Sequence, residues 1–217
     1  MPMKAVCLWS AGKDSCFAYY KAKQQGHNII SLFNFTEFDG ANSLSHGLSA
    51  GIIHRQITAT GLSFLQKPMP KENYRNEFIA LIQQWKKEKG IEGIVFGDIY
   101  LEEHKEWIER ACKESGVAPI FPLWGKDTSI LIKEIIEAGF KAMVVSTLKD
   151  FLGNEWLGRE IDNDFVKEIK GLGNIDPCGE KGEFHTFVYD GPIFKKPVEF
   201  TIGKKISKDK HWFLELV

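Results

Sequence analysis

Cysteine is scarce in this chain, and long apolar runs are absent from it. Only four cysteines occur among 217 residues, all of them far apart and with no Cys-x-x-Cys pair. This spacing argues against a disulfide scaffold and a four-thiolate zinc site, and it is typical of a reducing compartment. No apolar run approaches the roughly 20 residues that span a bilayer, and the N-terminus lacks the pattern of a secretory leader. We therefore expect a cytoplasmic protein with no membrane partner.

An excess of charge of either sign is also missing. The chain has 28 Lys and Arg against 29 Asp and Glu, a formal net charge of −1. The chain therefore lacks the excess of basic residues that would indicate a nucleic-acid partner. The 43% hydrophobic and 26% charged content is that of an ordinary globular protein. These totals disfavour a nucleic-acid partner and leave a homo-oligomer open.

Short apolar segments alternate with amphipathic ones over the first two thirds of the chain. Between Phe78 and Trp85, for example, apolar residues recur at helical spacing. Strands that alternate with helices predict a parallel sheet covered by helices on both faces, which is an α/β, Rossmann-like fold. The last third is rich in Gly, Asp, Glu and Pro and predicts a small C-terminal α+β region, so we expect domains at 1–149 and 150–217. The strands predicted for the parallel sheet are Lys4–Trp9, Ile29–Phe35, Ser63–Gln66, Ile94–Phe96 and Ala142–Ser146.

The segment Ser10–Ser15 follows the first strand and opens a helix. Small residues in such a turn let backbone N–H groups approach phosphate oxygens, and the helix dipole favours negative charge. The hydroxyls of Ser10 and Ser15 can donate hydrogen bonds, and Lys13 adds a positive charge. The segment is not a Walker A loop, because Cys7 and Asp14 stand where that motif needs Gly and Ser or Thr. We interpret it as a phosphate-binding loop; the structural alternative is a capped strand–helix turn.

The letters Ser-Ala-Gly-Lys-Asp-Ser resemble the PP-loop, Ser-Gly-Gly-Lys-Asp-Ser, of the N-type ATP pyrophosphatases. Those enzymes cleave ATP between the α- and β-phosphates, leave AMP on an activated oxygen and release pyrophosphate. One departure is Ala11 at a Gly position. Because alanine disfavours a left-handed backbone, we expect a loop near the usual shape rather than an identical one. The nucleotide-binding residues that the resemblance implies are Ser10, Ala11, Gly12, Lys13, Asp14 and Ser15.

A second segment, residues 176–194, narrows the family. Its Cys-Gly-Glu-Lys-Gly-Glu-Phe-His-Thr stretch resembles the C-terminal signature of the diphthine–ammonia ligase family. Gly97-Asp98-Ile99, Pro122-Leu123-Trp124 and Leu157-Gly158-Arg159 agree with it, so the resemblance covers nearly the whole chain. It implies a HUP-type fold with ATP and Mg²⁺, and ammonia as the nitrogen donor. The His185-Thr186 pair differs from the usual Glu-Thr and looks like the bacterial branch of the family.

Three side chains of this segment are candidates for chemistry. Glu180, Glu183 and His185 lie close together in a Gly-rich stretch and could hold Mg²⁺, orient an amine or act as a general base. The alternative is a turn whose acids accept hydrogen bonds from nearby amides. Together with Lys13, these three are the predicted catalytic residues. A thiol mechanism through Cys178 is disfavoured, because a lone cysteine is more often a buried small side chain.

Further candidates follow the strands. Asp98 comes after a strand, where ligands of open α/β sheets collect, although it could equally close the turn. Gly97 and His46 are predicted to lie at the nucleotide, with an exposed loop histidine as the alternative for His46. Asp14 and Asp98 are the predicted Mg²⁺ ligands. For Arg159 a contact with phosphate or with a substrate carboxylate and a helix cap are all open, and residues 102–106 are interpreted as a solvated helix start.

These features predict an ATP-dependent ligase that adenylates a carboxylate and then forms an amide with ammonia. The resemblance implies diphthine on elongation factor 2 as acceptor if the source is archaeal or eukaryotic, and an unknown small molecule if it is bacterial. A non-catalytic adenine-nucleotide-binding protein is a further alternative. A PP-loop thiolase acting on tRNA is disfavoured by the cysteine spacing and the neutral charge.

Overall fold

A five-stranded parallel sheet forms the centre of the N-terminal part. The structure, a computed structural model, describes residues 1–44 and 46–217, and the side chain of Lys71 lies outside the description. The strands follow the order β3-β2-β1-β4-β5. The strands β2 and β3 therefore lie on one side of β1, and β4 and β5 lie on the other side. In open α/β sheets, ligands bind outside the carboxyl ends of the strands at such a switch point. The strands are β1 (Lys4–Leu8), β2 (Asn28–Thr36), β3 (Ser63–Pro68), β4 (Gly93–Val95) and β5 (Ala118–Ile120).

Helices cover both faces of this sheet, which confirms the predicted α/β class. One core contains Phe17, Ile53 and Ile132, and a separate core on the other face contains Phe78 and Trp85. Across the described ranges, no helix combines the length and apolar content that a membrane-spanning helix needs. The helices are α1 (Lys13–Gln24), α2 (Ala50–Thr60), α3 (Tyr74–Lys89), α4 (Glu102–Ser115), α5 (Thr128–Glu137) and α6 (Asn163–Leu172).

A second, antiparallel sheet follows in the order β7-β6-β9-β8. One strand of this sheet corrects a sequence prediction. Ala142–Ser146 was expected in the parallel sheet, but it belongs to β6 of the second sheet, and β5 is the fifth strand of the parallel sheet. The misassignment has a physical reason: a continuous buried run looks the same whichever sheet covers it. The predicted boundary at residue 149 stays a prediction. The strands are β6 (Lys141–Leu148), β7 (Phe184–Asp190), β8 (Ile202–Lys208) and β9 (His211–Leu216).

Candidate active site

The loop between β1 and α1 is held closed by its own hydroxyl groups. Ser10 Oγ donates to Ser15 Oγ at 3.0 Å, and Ser15 Oγ donates to the Gly12 carbonyl at 3.0 Å. Gly12 is the N-cap residue of α1 and supplies no side-chain cap. The first N–H groups of a helix have no partner within the helix. The turn therefore presents backbone donors and two hydroxyls at the positive end of α1.

Ala11 adopts the left-handed conformation, with φ of 73°, and is fully buried. The expectation that alanine would avoid this conformation was therefore wrong. The surroundings impose it, because the Ala11 carbonyl accepts from Val188 N at 3.1 Å and from Gln56 Nε2 at 2.9 Å. The loop is thus fixed from outside, by β7 and by α2.

Replacing Ala11 with glycine should stabilise the protein. A left-handed backbone costs a residue with a Cβ roughly 1–2 kcal/mol, and glycine adopts it freely. We expect a gain of about 1 kcal/mol after the entropy cost of glycine, which corresponds to a melting temperature about 2–4 °C higher. Ala22→Gly in α1 is the control and should lower the melting temperature. A lower melting temperature for Ala11→Gly would show that no strain is stored there.

Lys13 is a buried cation at the start of α1, with 2% of its side chain exposed. Nζ donates to Asp14 Oδ2 at 2.9 Å and to the Cys178 carbonyl, and it lies 5.4 Å from the centre of the Phe184 ring. Burial alone would lower the pKa of Lys13, but the acidic groups around it, Asp14 first among them, together outweigh burial and the pKa is raised. Lys13 is therefore protonated at neutral pH. Asp14 Oδ1 is buried and has no hydrogen-bond partner among the described residues.

A cavity of about 260 Å³ opens beside this loop at the ends of β1 and β4. It brings together most of the predicted site. Ala11, Gly12 and Glu183 are not among the lining residues. Predicted residues that line the cavity are Ser10, Lys13, Asp14, Ser15, His46, Gly97, Asp98, Glu180 and His185. Residues that were not predicted but also line it are Leu8, Leu101, His104, Gly179, Phe184 and Thr186.

Glu180 is held at the cavity through one carboxylate oxygen. Oε1 accepts from Ile99 N at 2.8 Å and from Tyr100 N at 3.4 Å. Burial, with the Asp14 carboxylate nearby, raises the pKa of Glu180 to about 7 despite these hydrogen bonds and the Lys13 charge. A carboxyl group that titrates near neutral pH can exchange protons with a substrate. Oε2 accepts no hydrogen bond from the residues that the structure describes, so it is the oxygen available for that exchange.

Glu183 lies away from the cavity, under the loop that carries Glu180. It is 1% exposed, and its two oxygens accept from Asp176 N and Lys181 N, each at 3.0 Å. This arrangement corresponds to the structural alternative, an acid that satisfies backbone amides. Its predicted catalytic role stays a prediction, and the geometry favours a part in shaping the loop.

Two histidine rings stack at one side of the cavity. The centres of the His46 and His185 rings are 4.5 Å apart with an interplanar angle of 22°, and His46 Nδ1 donates to the Thr186 carbonyl at 3.2 Å. Burial lowers the pKa of His46 well below its usual range and that of His185 to about 4. Both rings are therefore neutral at physiological pH. A Cβ on Gly12 would collide with the His46 ring, so glycine is required there for close approach.

Comparison with known proteins identifies the family of this chain. A family model of the diphthamide synthase N-terminal domain matches residues 3–119, and the C-terminal domain model matches residues 127–216. The chain belongs to the diphthamide synthase family. Similar proteins include the diphthine–ammonia ligases of Danio rerio, 25% identical over 90% of this chain and 86% of that protein, and of Bos taurus, 26% identical over 90% and 82%. The enzyme class predicted from the sequence agrees with these names.

A solved structure is similar to this diphthamide synthase family member in outline. It is a predicted subunit of tRNA methyltransferase from Methanocaldococcus jannaschii, with a TM-score of 0.46 and 14% identity over 90% of this chain and 100% of that chain.

Two polar residues of this family member escaped the sequence analysis. His104 was assigned to a solvated helix start, yet it lines the cavity, and its Nδ1 lies 3.4 Å from Asp98 Oδ1. The hydrogen bond with Asp98 raises the pKa of His104. Gln56 is fully buried in α2 and bonds the Ala11 and Val188 carbonyls. A polar residue on the apolar face of α2 was the signal that could have revealed it.

The donors at the cavity fit Mg²⁺ held jointly with a nucleotide. No group of three or more His, Cys, Asp or Glu side chains that could hold a metal occurs in the part of the chain that the structure describes. Mg²⁺, however, is often bound by one or two carboxylates together with substrate phosphates. Asp14, with an unpartnered Oδ1, and Asp98 are such donors on the same cavity.

Other sequence candidates lie away from the cavity. Arg159 pairs with Glu168 through two hydrogen bonds and stacks on Trp156 at 4.8 Å. This pairing is neither of the roles predicted for Arg159, which stay predictions. Cys178 is buried, and burial raises the pKa of its thiol far above the usual range. A thiolate nucleophile is therefore disfavoured at this position.

Proposed function

We propose that this protein is an ATP-dependent ligase that adenylates a carboxylate and converts it into an amide with ammonia. Diphthine, the substrate in the names of its relatives, is the first acceptor to test. The main support is Lys13, a buried protonated side chain at the start of a helix, on a cavity with Asp14, Ser10 and Glu180. A buried cation at the positive end of a helix dipole is suited to phosphate.

In the first step, a carboxylate oxygen of the acceptor attacks the α-phosphorus of ATP. The bond from this phosphorus to the oxygen that bridges to the β-phosphate breaks, and pyrophosphate leaves. Lys13 and the amides of the loop stabilise the charge that develops on the leaving group, in a site preorganised before ATP binds. Mg²⁺ held by Asp14, Asp98 and the phosphates would neutralise further charge.

In the second step, ammonia attacks the acyl carbon and AMP leaves, so that a C–N bond replaces a C–O bond. The nitrogen must lose a proton as the amide forms. Glu180 is the group we assign as acceptor of that proton, because its pKa near neutrality and free oxygen suit a general base. The neutral rings of His46 and His185 add no positive charge that would repel ammonium.

Turnover should rise with pH through about 7, the pKa of Glu180. Only the ionised carboxylate can accept a proton, so activity is low below this pH and levels off above it. Rates are measured between pH 5.5 and 8.5 at a constant concentration of free ammonia, and Glu180→Gln should lose both the rise and most of the rate. A wild-type profile that is flat in this range, or unchanged in Glu180→Gln, would contradict the assignment.

The same pKa affects stability. Folding raises the pKa of Glu180, so its contribution is greatest below the usual glutamate range and is lost as pH rises to about 7. The stability of Glu180→Gln relative to the wild type should therefore increase between pH 5 and pH 8, as followed by urea unfolding.

An oxygen-18 experiment tests the adenylation step directly. The acceptor carboxylate is labelled with oxygen-18 and incubated with ATP, Mg²⁺ and ammonium. Attack through the carboxylate transfers one label to AMP, which mass spectrometry of the AMP detects. ADP and phosphate as products would refute adenylation. ATP binding without any turnover for diphthine-bearing elongation factor 2 or small carboxylates would favour a nucleotide-binding protein instead.

A further inference from the structure

A second cleft, of about 380 Å³, lies next to the nucleotide cavity and shares His185 with it. One wall comes from the segment after β2, which contributes Glu37 and Leu44. The rest of the cleft is lined by one face of the second sheet. Charged and aromatic groups are mixed along it, among them Lys208, His211 and Phe213.

The floor of the cleft is a row of cross-strand neighbours. Ser146 on β6 pairs with His185 on β7 and with Phe213 on β9, and Phe213 pairs with Ile206 on β8. Directly opposed residues of antiparallel strands place their side chains on the same face of a sheet. All four residues line the cleft, so the row runs from the nucleotide cavity outward across the sheet.

Ser146 has an unusual position in this row. It is fully buried, and its Oγ has no hydrogen-bond partner among the described residues. Buried polar groups are nearly always paired, because an unpaired one costs roughly 1–3 kcal/mol. Ser146 pairs with His185 and Phe213 and lines the cleft, so a bound molecule that displaces the neighbouring side chains could supply the missing partner.

We propose that this cleft is the acceptor subsite, which holds the acyl arm of the carboxylate substrate while its carboxylate lies at the nucleotide. The inference rests on the proposed function, because adenylation requires the acceptor to reach the α-phosphorus from beside ATP. The cleft and the nucleotide cavity meet at His185, so a molecule can extend from one into the other. Ser146 hydrogen-bonds the arm at the floor.

The test uses two non-reactive nucleotides and requires no turnover. One is sulfamoyl adenosine, and the other is the acyl-sulfamoyl adenosine that carries the acyl group of the diphthine side chain. Calorimetry gives both dissociation constants, and their ratio measures the contribution of the arm. In the wild type we expect the arm to tighten binding at least tenfold. Ser146→Ala should reduce that ratio roughly three- to tenfold, with binding of sulfamoyl adenosine unchanged.

Two controls separate this role from a structural one. Ser207→Ala removes a hydroxyl from β8, at a residue that does not line the cleft, and it should keep the ratio. Ser146→Ala should keep or raise the melting temperature, because its buried hydroxyl has no hydrogen-bond partner within the described residues.

The subsite would be overturned, while the nucleotide function remains, if the arm added no affinity in the wild type or if Ser146→Ala left the ratio unchanged. A lower melting temperature for Ser146→Ala with an unchanged ratio would show a structural hydroxyl. Failure of the wild type to bind sulfamoyl adenosine would refute the proposed function, and the subsite with it.

Discussion

Lys13→Met should reduce turnover by roughly 10²–10³-fold, the loss typical of removing one preorganised charge-stabilising group. Methionine keeps a flexible stem against Phe184 but removes the ammonium group that is buried beside Asp14. The phosphates would then lose their buried cation, and the Asp14 carboxylate would lose its partner. Both the AMP-release rate and the affinity for ATP should fall, as measured by steady-state kinetics and by calorimetry.

The chain supplies a matched control for this variant. Lys126 lies in a similar local sequence, Gly-Lys-Asp-Thr-Ser, but it is a third exposed and pairs with Glu134 at 2.9 Å. Asp127 in that stretch is a helix N-cap, whose side chain accepts from Ser129 N and Ile130 N. Lys126→Met should therefore retain activity. Near-normal turnover in Lys13→Met, with the fold intact by circular dichroism, would remove Lys13 from the mechanism.

Local signals in the sequence predicted those parts of the fold that depend on local interactions. The sequence itself predicts a helix from about Ala50 to Thr60 that ends at Gly61. The structure has α2 over these residues, with Gly61 in the left-handed conformation. The buried face of α3 was likewise predicted from spacing and is confirmed. Helical periodicity and a C-terminal glycine act within a few residues, so they can be read from the chain alone.

Long-range contacts decided what the sequence could not predict. The assignment of β6 to a sheet depends on its pairing with β7 and β9, which follow it by dozens of residues. Ala11 is left-handed because β7 and Gln56 bind its carbonyl. Neither cause can be recognised from the residues that are neighbours in the sequence.

The candidate site is assembled between the two sheets. Lys13 N, at the start of α1, donates to Thr186 Oγ1 at 3.0 Å, and Val188 N donates to the Ala11 carbonyl. Strand β7 therefore fixes the loop that precedes α1, and it also carries His185 into both the nucleotide cavity and the neighbouring cleft. Residues 176–194 are thus placed to act on the loop itself, in addition to any contact with substrate.

Gly97→Ala should reduce turnover by roughly 10²-fold, because a displacement of about 1 Å in a catalytic group can cost that much. A Cβ at this position would lie 2.9 Å from Ser15 N and 3.0 Å from the Asp14 carbonyl carbon. Both atoms belong to the backbone of the first turn of α1, so no side-chain rotation can relieve the contact. The helix start must move away from β4, and the loop amides and Lys13 move with it.

Overpacking of this kind also destabilises a protein, typically by about 1–3 kcal/mol, so calorimetric ATP binding and melting temperature are measured together with turnover. Gly171→Ala is the control: it lies in α6 with open space around the added methyl group, and it should stabilise the helix by roughly 0.5–1 kcal/mol. If Gly97→Ala bound ATP and turned over like the wild type, the close approach of β4 to α1 would not be what positions the phosphate loop.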